Sequence, residues 1–213
     1  MLRVGENILR SEPALSSSRS RNSISIVGSR RAKYSIPVSF EWARIAGANN
    51  FSVISGLALG CDTAAHLGCL EVGGHTVAVM PCGSNFIAPS SNRPLAKKSL
   101  ESGGSLVSEY SPDTPPRPFR FVERNRVIAS LSQSVIVMEA ETKSGTMHTA
   151  RFALEQKKSL ACYVPARGSL SSGCRSLIEN YGATPLRNAA DLVSFLETLS
   201  NVPVGGGEGG WHV

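Results

Sequence analysis

The chain is short of the features that mark specialised chemistries. Its five cysteines (Cys61, Cys69, Cys82, Cys162 and Cys174) are scattered and odd in number. They form no C-x-x-C and no Cys/His pair at zinc spacing, so neither a disulfide framework nor a metal site is expected, and a reduced, cytoplasmic setting fits best. No apolar run reaches the roughly eighteen residues that a membrane span needs. The first residues carry Arg3, Glu6, Arg10 and Glu12 with no apolar stretch, which argues against a secretory signal. Aromatic residues are sparse, at 6%, as expected where Val, Ile, Leu and Ala fill a sheet-and-helix core. There is no P-loop G-x-x-x-x-G-K-[ST] and no nucleophile elbow G-x-S-x-G. The first strand-to-helix turn is not the dinucleotide fingerprint G-x-G-x-x-G, and the second candidate strand ends in Ser55-Gly56, without the carboxylate that would hold a ribose. The residues call for no cofactor.

What is present is an alternation of strand and helix patterns in 213 residues, enough for one α/β domain with a substantial core. Short apolar or β-branched runs bounded by Gly, Pro or Ser predict strands at 24–28, 52–55, 76–80, 105–108, 134–138 and 160–163. Helices are predicted at about 37–47, 62–72, 92–102, 122–131, 145–156, 174–180 and 189–199, with Asp62 as an N-cap. Such alternation predicts an α/β fold, a doubly wound, mostly parallel sheet with helices on both faces. The polar, slightly basic residues 1–22 read as a mobile arm, 23–200 as the domain, and the Gly-rich 201–213 as a flexible tail.

Ligands of such sheets sit at the carboxyl ends of the strands. There the sequence collects small residues, hydroxyls, amides and arginines: Gly28-Ser29-Arg30, Ser55-Gly56, Asn92-Arg93, Arg124-Asn125-Arg126 and Ser144-Gly145. Amides at a glycine turn or helix N-terminus, with arginine beside them, suit phosphate. The net charge of +6 and pI of about 9.3 favour anionic partners in the same direction. Each motif also has a plain structural reading. Gly28-Ser29-Arg30 also fits an ordinary tight turn, Ser55-Gly56 close helix–sheet packing, and Ser144 simple capping. Asp62 and His66, four apart, read better as a cap and a packed histidine than as an acid–base pair. Arg124 and Arg126 are expected to open a helix, where positive charge opposes the macrodipole unless an anion or carboxylate answers it. Glu139, ending the fifth strand, is expected to organise rim arginines rather than act as a catalytic acid.

Seven of these segments stand in the order of a known pattern. They are Gly28-Ser29-Arg30; Ser55-Gly56-Leu57-Ala58 through Asp62 and His66; Gly73-Gly74-His75-Thr76-Val77-Ala78-Val79; Asn92 to Leu95; Ser108-Glu109-Tyr110; Arg124-Asn125-Arg126-Val127-Ile128-Ala129; and Glu139-Ala140 through Ser144-Gly145-Thr146. On these segments the chain resembles the DNA-processing protein A (DprA/Smf) family over about residues 22–197. The resemblance implies a Rossmann-like domain that binds single-stranded DNA, protects it and assists RecA loading in natural transformation and recombination. It also implies a homodimer, formed partly through the region from Cys174 to Phe195, and no enzymatic activity. The family's DNA contacts fall on Gly28, Ser29, Arg30 and Arg93. The family often adds an N-terminal helical domain and a C-terminal winged-helix-like domain; the expectation here is the Rossmann-like core alone. Ala88-Pro89 stands where the family has Tyr-Pro, and Glu123 where a small residue usually precedes R-N-R.

The expected mechanism is capture of a sugar-phosphate backbone along the rim. Arg30 and Arg93 neutralise phosphates, and Phe86, Phe119 and Phe121 are the candidates for base stacking or, equally, for core. The alternative is a nucleotide-sensing or nucleotide-hydrolysing protein related to the cytokinin-activating phosphoribohydrolases. Those carry P-G-G-x-G-T-x-x-E where this chain has Lys143-Ser144-Gly145-Thr146-Met147-His148-Thr149, without the glycine pair or the glutamate. A scaffold with only a protein-interaction role is the third reading.

Overall fold

The structure is a computed structural model that describes residues 22–32 and 34–201. Apart from Asn22 and Asn201, the expected arm and tail lie outside the described residues. The elements run β1 (Ser23–Val27), α1 (Ser35–Ala48), β2 (Ser52–Ser55), α2 (Cys61–Glu71), β3 (Thr76–Val79), a 3-10 turn (Ser90–Asn92), α3 (Arg93–Glu101), β4 (Ser105–Val107), α4 (Pro118–Ser130), β5 (Ser134–Val137), α5 (Gly145–Glu155), β6 (Ser159–Tyr163), α6 (Ser172–Tyr181), β7 (Thr184–Leu186) and α7 (Ala189–Ser200). The sheet order is β4-β3-β2-β1-β5-β6-β7, and every neighbouring pair is parallel.

The period-two pattern of the strands sets the two faces. Ile24 and Ile26 of β1, Ile136 of β5 and Ala161 and Tyr163 of β6 point to the side that holds Trp42, Ala43 and Ala46 of α1, Cys61, Ala65 and Cys69 of α2, and Leu192 and Leu196 of α7. Val27, Val135, Val137, Leu160 and Cys162 point the other way, onto Val127, Ile128 and Ala129 of α4, Ala150 and Ala153 of α5, and Cys174 and Leu177 of α6. Ser25 shares that second face and stays satisfied there by donating to the Ile128 carbonyl at 2.9 Å. The sheet is thus covered on both sides, as the alternation predicted.

Two elements differ from expectation. β7 was not foreseen, because Thr-Pro-Leu is short and proline suits only an edge strand. It occupies the edge beside β6. α4 begins at Pro118 instead of residue 122, since proline is tolerated in the first turn of a helix. The chain builds outward from β1 to β4 and then returns to place β5 on β1's other side. That switch point puts the loops after β1 and β5 next to each other.

Candidate nucleic-acid interface

The loops after β1 and β2 form the middle of the rim. Gly28 has no room for a side chain, since a Cβ there would stand 2.7 Å from Cys61 Sγ. Ser29 and Arg30 follow at the surface. The Ser29 hydroxyl accepts the Arg31 amide at 3.1 Å, and the Ser29 carbonyl accepts the Cys61 amide at the start of α2. The turn is therefore fixed from both sides while the Arg30 side chain is exposed. Its guanidinium carbon lies 5.5 Å from the centre of the Phe121 ring, a cation–π contact that orients the charge without neutralising it.

Beneath this turn lies a buried polar network. Arg124, only 4% exposed, donates from Nη1 to the Gly56 carbonyl at 2.8 Å and to the Val79 carbonyl. Its Nε donates to Asn125 Oδ1 at 3.3 Å. Burial lowers its pKa to about 10, and the neighbouring Asp62 works in the opposite direction. Arg124 stays charged at neutral pH and adds a fixed positive field under the rim, a field that Arg30 also feels. Asp62 accepts the Gly56 amide at 3.1 Å. Burial pushes its carboxyl up, and Arg124 and the loop amides hold it back. His66 is fully buried and accepts the Leu57 amide on Nε2 at 3.3 Å. Its Nδ1 lies 2.7 Å from Thr76 Oγ1, whose own proton goes to the Val53 carbonyl, so Nδ1 carries the ring proton. Burial, with the Arg124 charge nearby, drives the His66 pKa down to about 3.

This network corrects four expectations. Arg124-Asn125-Arg126 lies inside α4, not at its start, so the macrodipole argument does not apply. Arg124 cannot face a ligand, because its guanidinium is spent on loop carbonyls. Ser55 is wholly buried and donates to the Ile26 carbonyl at 2.7 Å, so it supports the sheet and touches no surface. Asp62 lies in the first turn of α2, whose N-cap is Gly60, and its carboxylate braces the preceding loop.

The remaining predicted residues divide in the same way. Asn92 is 6% exposed and donates to the Leu57 carbonyl and to Thr63 Oγ1, both at 2.8 Å. It ties the start of α3 to the β2 loop, and Arg93 beside it is exposed. Asn125 donates to the Gly145 carbonyl at 3.2 Å, which joins α4 to the start of α5. Ser144 is the N-cap of α5, yet its hydroxyl makes no cap hydrogen bond; Oγ is buried without a partner among the described residues. Arg126 lies on the exposed side of α4 and meets both oxygens of Glu109 at 2.7 Å. Glu139 pairs with no arginine among the described residues; it accepts the Ser35 hydroxyl at 2.7 Å. Of the three phenylalanines, Phe86 and Phe121 pack partly buried against the cluster around Leu57 and Leu95, whereas Phe119 is 53% exposed. The sequence reading passed over Arg120, although the alternation Arg117-Pro118-Phe119-Arg120-Phe121 was a usable signal of interleaved charge and aromatics.

The rim thus sorts into an outer layer, with exposed Arg30 and Arg93 and half-buried Ser29, and a buried frame, with Ser55, Gly56, Asn92, Arg124 and Asn125. Among the described residues, no group of His, Cys, Asp and Glu is placed to hold a metal ion. No helix there is long and apolar enough to cross a membrane.

Comparison with known proteins agrees with this fold. The sequence model of the DNA recombination-mediator protein A family matches residues 13–197. Protein Smf of Escherichia coli is 41% identical over 137 residues, 62% of this chain and 36% of its own length. The DNA processing protein DprA of Streptococcus pneumoniae is 35% identical over 176 residues, 82% of this chain and 61% of its own. The chain therefore spans less than two thirds of these relatives. A solved structure of DNA processing protein A from Helicobacter pylori, described for its single-stranded DNA binding mode, superimposes with a TM-score of 0.72 at 32% identity, covering 84% of this chain and 80% of that one.

Proposed function

The chain belongs to the DNA recombination-mediator protein A family, and from that premise we propose that it binds single-stranded DNA along the carboxyl rim of its sheet. The observation that carries this reading is the pairing of an exposed Arg30, on a braced turn, with the buried cation of Arg124 below it. A phosphate at the Gly28–Arg30 turn meets a guanidinium fork above the buried Arg124 cation, whose charge Asp62 beside it offsets in part, while Glu109 is engaged by Arg126. Arg93 extends the track toward α3. Ser29 lines the turn, and Gly145 opens α5 on the other side of the switch point. Gly56, Asn92, Arg124 and Asn125 act at one remove, by holding these loops in register.

Phosphate contacts of this kind do not read sequence. The role is that of a binding protein in DNA processing, natural transformation and recombination, not of an enzyme. The described function of the Helicobacter pylori relative supports the ligand. Assistance to RecA, a cytoplasmic setting and a homodimer belong to the same proposal. A dimer would place two rims within reach of one strand and raise avidity.

The test is a titration of labelled oligo-thymidine against the protein at several salt concentrations, beside a duplex of equal length and a nucleoside monophosphate. The reading expects single strands to bind tightest, with log affinity falling linearly in log salt by about 0.7 for each phosphate neutralised. Equal affinity for duplex, or turnover of the nucleotide, would overturn it.

A further inference from the structure

Several buried side chains of the rim serve one short loop, and that loop carries an exposed leucine. Residues 56–60 lie between the Arg30 turn and the start of α3. Asp62 accepts the Gly56 amide at 3.1 Å and His66 the Leu57 amide at 3.3 Å. Asn92 donates to the Leu57 carbonyl at 2.8 Å. Thr63 donates to the Ala58 carbonyl twice, from its hydroxyl at 2.7 Å and from its amide at 3.0 Å. Leu57 is wholly buried with a φ of 55°, a left-handed conformation that strains a leucine. The backbone leading to Leu59 is thus held at every residue, yet Leu59 itself is 47% exposed and outside the three apolar clusters of the core.

Leu59 stands between the two arginines of the outer layer. On one side, Gly60 packs on the β1 turn so closely that a Cβ there would stand 2.5 Å from the Ser29 carbonyl oxygen and 2.8 Å from Arg30 Cα. On the other side, Asn92, bonded to the loop, is followed directly by Arg93. The flank below is apolar: Phe121, whose ring the Arg30 guanidinium covers, packs in one cluster with Leu57 and Leu95. A lone exposed leucine is ordinary on a protein surface. This one is fixed on a strained, fully braced loop between two exposed cations, and the core gains no burial from it.

From this arrangement we propose that Leu59 is the seat for an unpaired base of the strand whose phosphates Arg30 and Arg93 hold. Every base has an apolar face, and the bases of a single strand are free to turn that face toward the protein. The bases of a duplex are paired and stacked inside, so they do not reach Leu59 while their backbone lies on the arginines. The seat therefore selects single strands without reading sequence. Its contribution comes from burial of apolar surface and does not depend on counterion release, unlike that of the arginines. The inference rests on the single-strand reading above and adds to it the residue that meets the base.

The test compares the full chain with Leu59→Ala and Leu59→Met. Each protein is titrated at several salt concentrations with labelled oligo-thymidine, with an abasic oligomer of equal length and charge, and with a duplex. Leu59 lies outside the core, and circular dichroism checks that both variants fold. The seat predicts that Leu59→Ala binds oligo-thymidine about fivefold more weakly, as expected for losing part of one leucine's burial. The factor is the same at every salt concentration, affinity for the abasic oligomer is that of the wild type, and Leu59→Met restores tight binding. If Leu59→Ala binds oligo-thymidine as tightly as the wild type while Arg30→Ala weakens it, the seat is wrong and the single-strand reading stands. The seat is equally wrong if Leu59→Ala weakens binding of the abasic oligomer by the same factor, since the change then acts on the backbone contacts. If the wild type binds duplex as tightly as oligo-thymidine, both are overturned.

Discussion

The guanidinium of Arg124 fills the space that a side chain on Gly56 would need: a Cβ there would stand 2.6 Å from Arg124 Nη2. The arginine cannot withdraw, because it is held by the carbonyls of Gly56 and Val79. Gly56→Ala is therefore expected to destabilise the fold by about 1–3 kcal/mol through overpacking. Arg124→Ala leaves two buried carbonyls and the Asp62 carboxyl without their cation, at a cost of about 3–5 kcal/mol. Urea denaturation of both variants measures this. A Gly56→Ala midpoint equal to that of the wild type would show that the loop yields freely.

His66 gives stability a pH dependence with a definite sign. The folded chain keeps the ring neutral down to about pH 3, whereas the unfolded chain protonates it near 6.5. The stabilisation is complete above the unfolded value and is lost as pH falls below it, by at most about 1.4 kcal/mol per pH unit. Asp62, raised by burial, pulls the other way in acid, so the informative quantity is a difference between proteins. Denaturation curves between about pH 7 and pH 5 should slope less steeply for His66→Gln than for the wild type.

Much of the architecture was legible because burial imposes periodicity. Ile24 and Ile26 alternate with Ser25 and Val27, and the alternation names the faces correctly. β7 was missed because three residues with a central proline carry no period. The site was legible in position but not in depth. Gly28-Ser29-Arg30, Asn92, Arg124 and Asn125 all gather at the rim, yet nothing in a one-dimensional pattern shows that Arg124 turns inward to carbonyls while Arg30 turns outward. An arginine and an asparagine in a motif look alike whether they bind a ligand or hold the loop that does. The start of α4 at Pro118 puts Arg124 and Arg126 in mid-helix, and two residues apart they face opposite sides: one is buried, the other paired with the half-buried Glu109.

Arg126 should matter little for DNA. Its charge is engaged by Glu109 at 2.7 Å on the outer side of α4. Arg126→Ala is expected to change oligo-thymidine affinity less than twofold and stability by no more than about 1 kcal/mol, as for other exposed pairs. Anisotropy and denaturation on the same preparation check both values.

The five cysteines should be silent in the folded protein. All are buried, and burial raises the thiol pKa of Cys61 and Cys69 to about 12 and that of Cys82 to about 11; the hydrogen bond between Cys162 and Cys174 raises Cys162 and lowers Cys174, so the silence of that pair rests on burial alone. Thiol titration with a chromogenic disulfide is expected to be slow in native buffer and to release all five thiols in denaturant. A fast native reaction at any one site would mean that the core around it opens readily.

The most direct measurement is the salt dependence of oligo-thymidine binding by wild type and Arg30→Ala. If Arg30 holds a phosphate above the Arg124 field, the variant binds more weakly and the slope of log affinity against log salt becomes shallower by about 0.7, one phosphate contact on a single strand. An unchanged affinity and an unchanged slope would contradict the account.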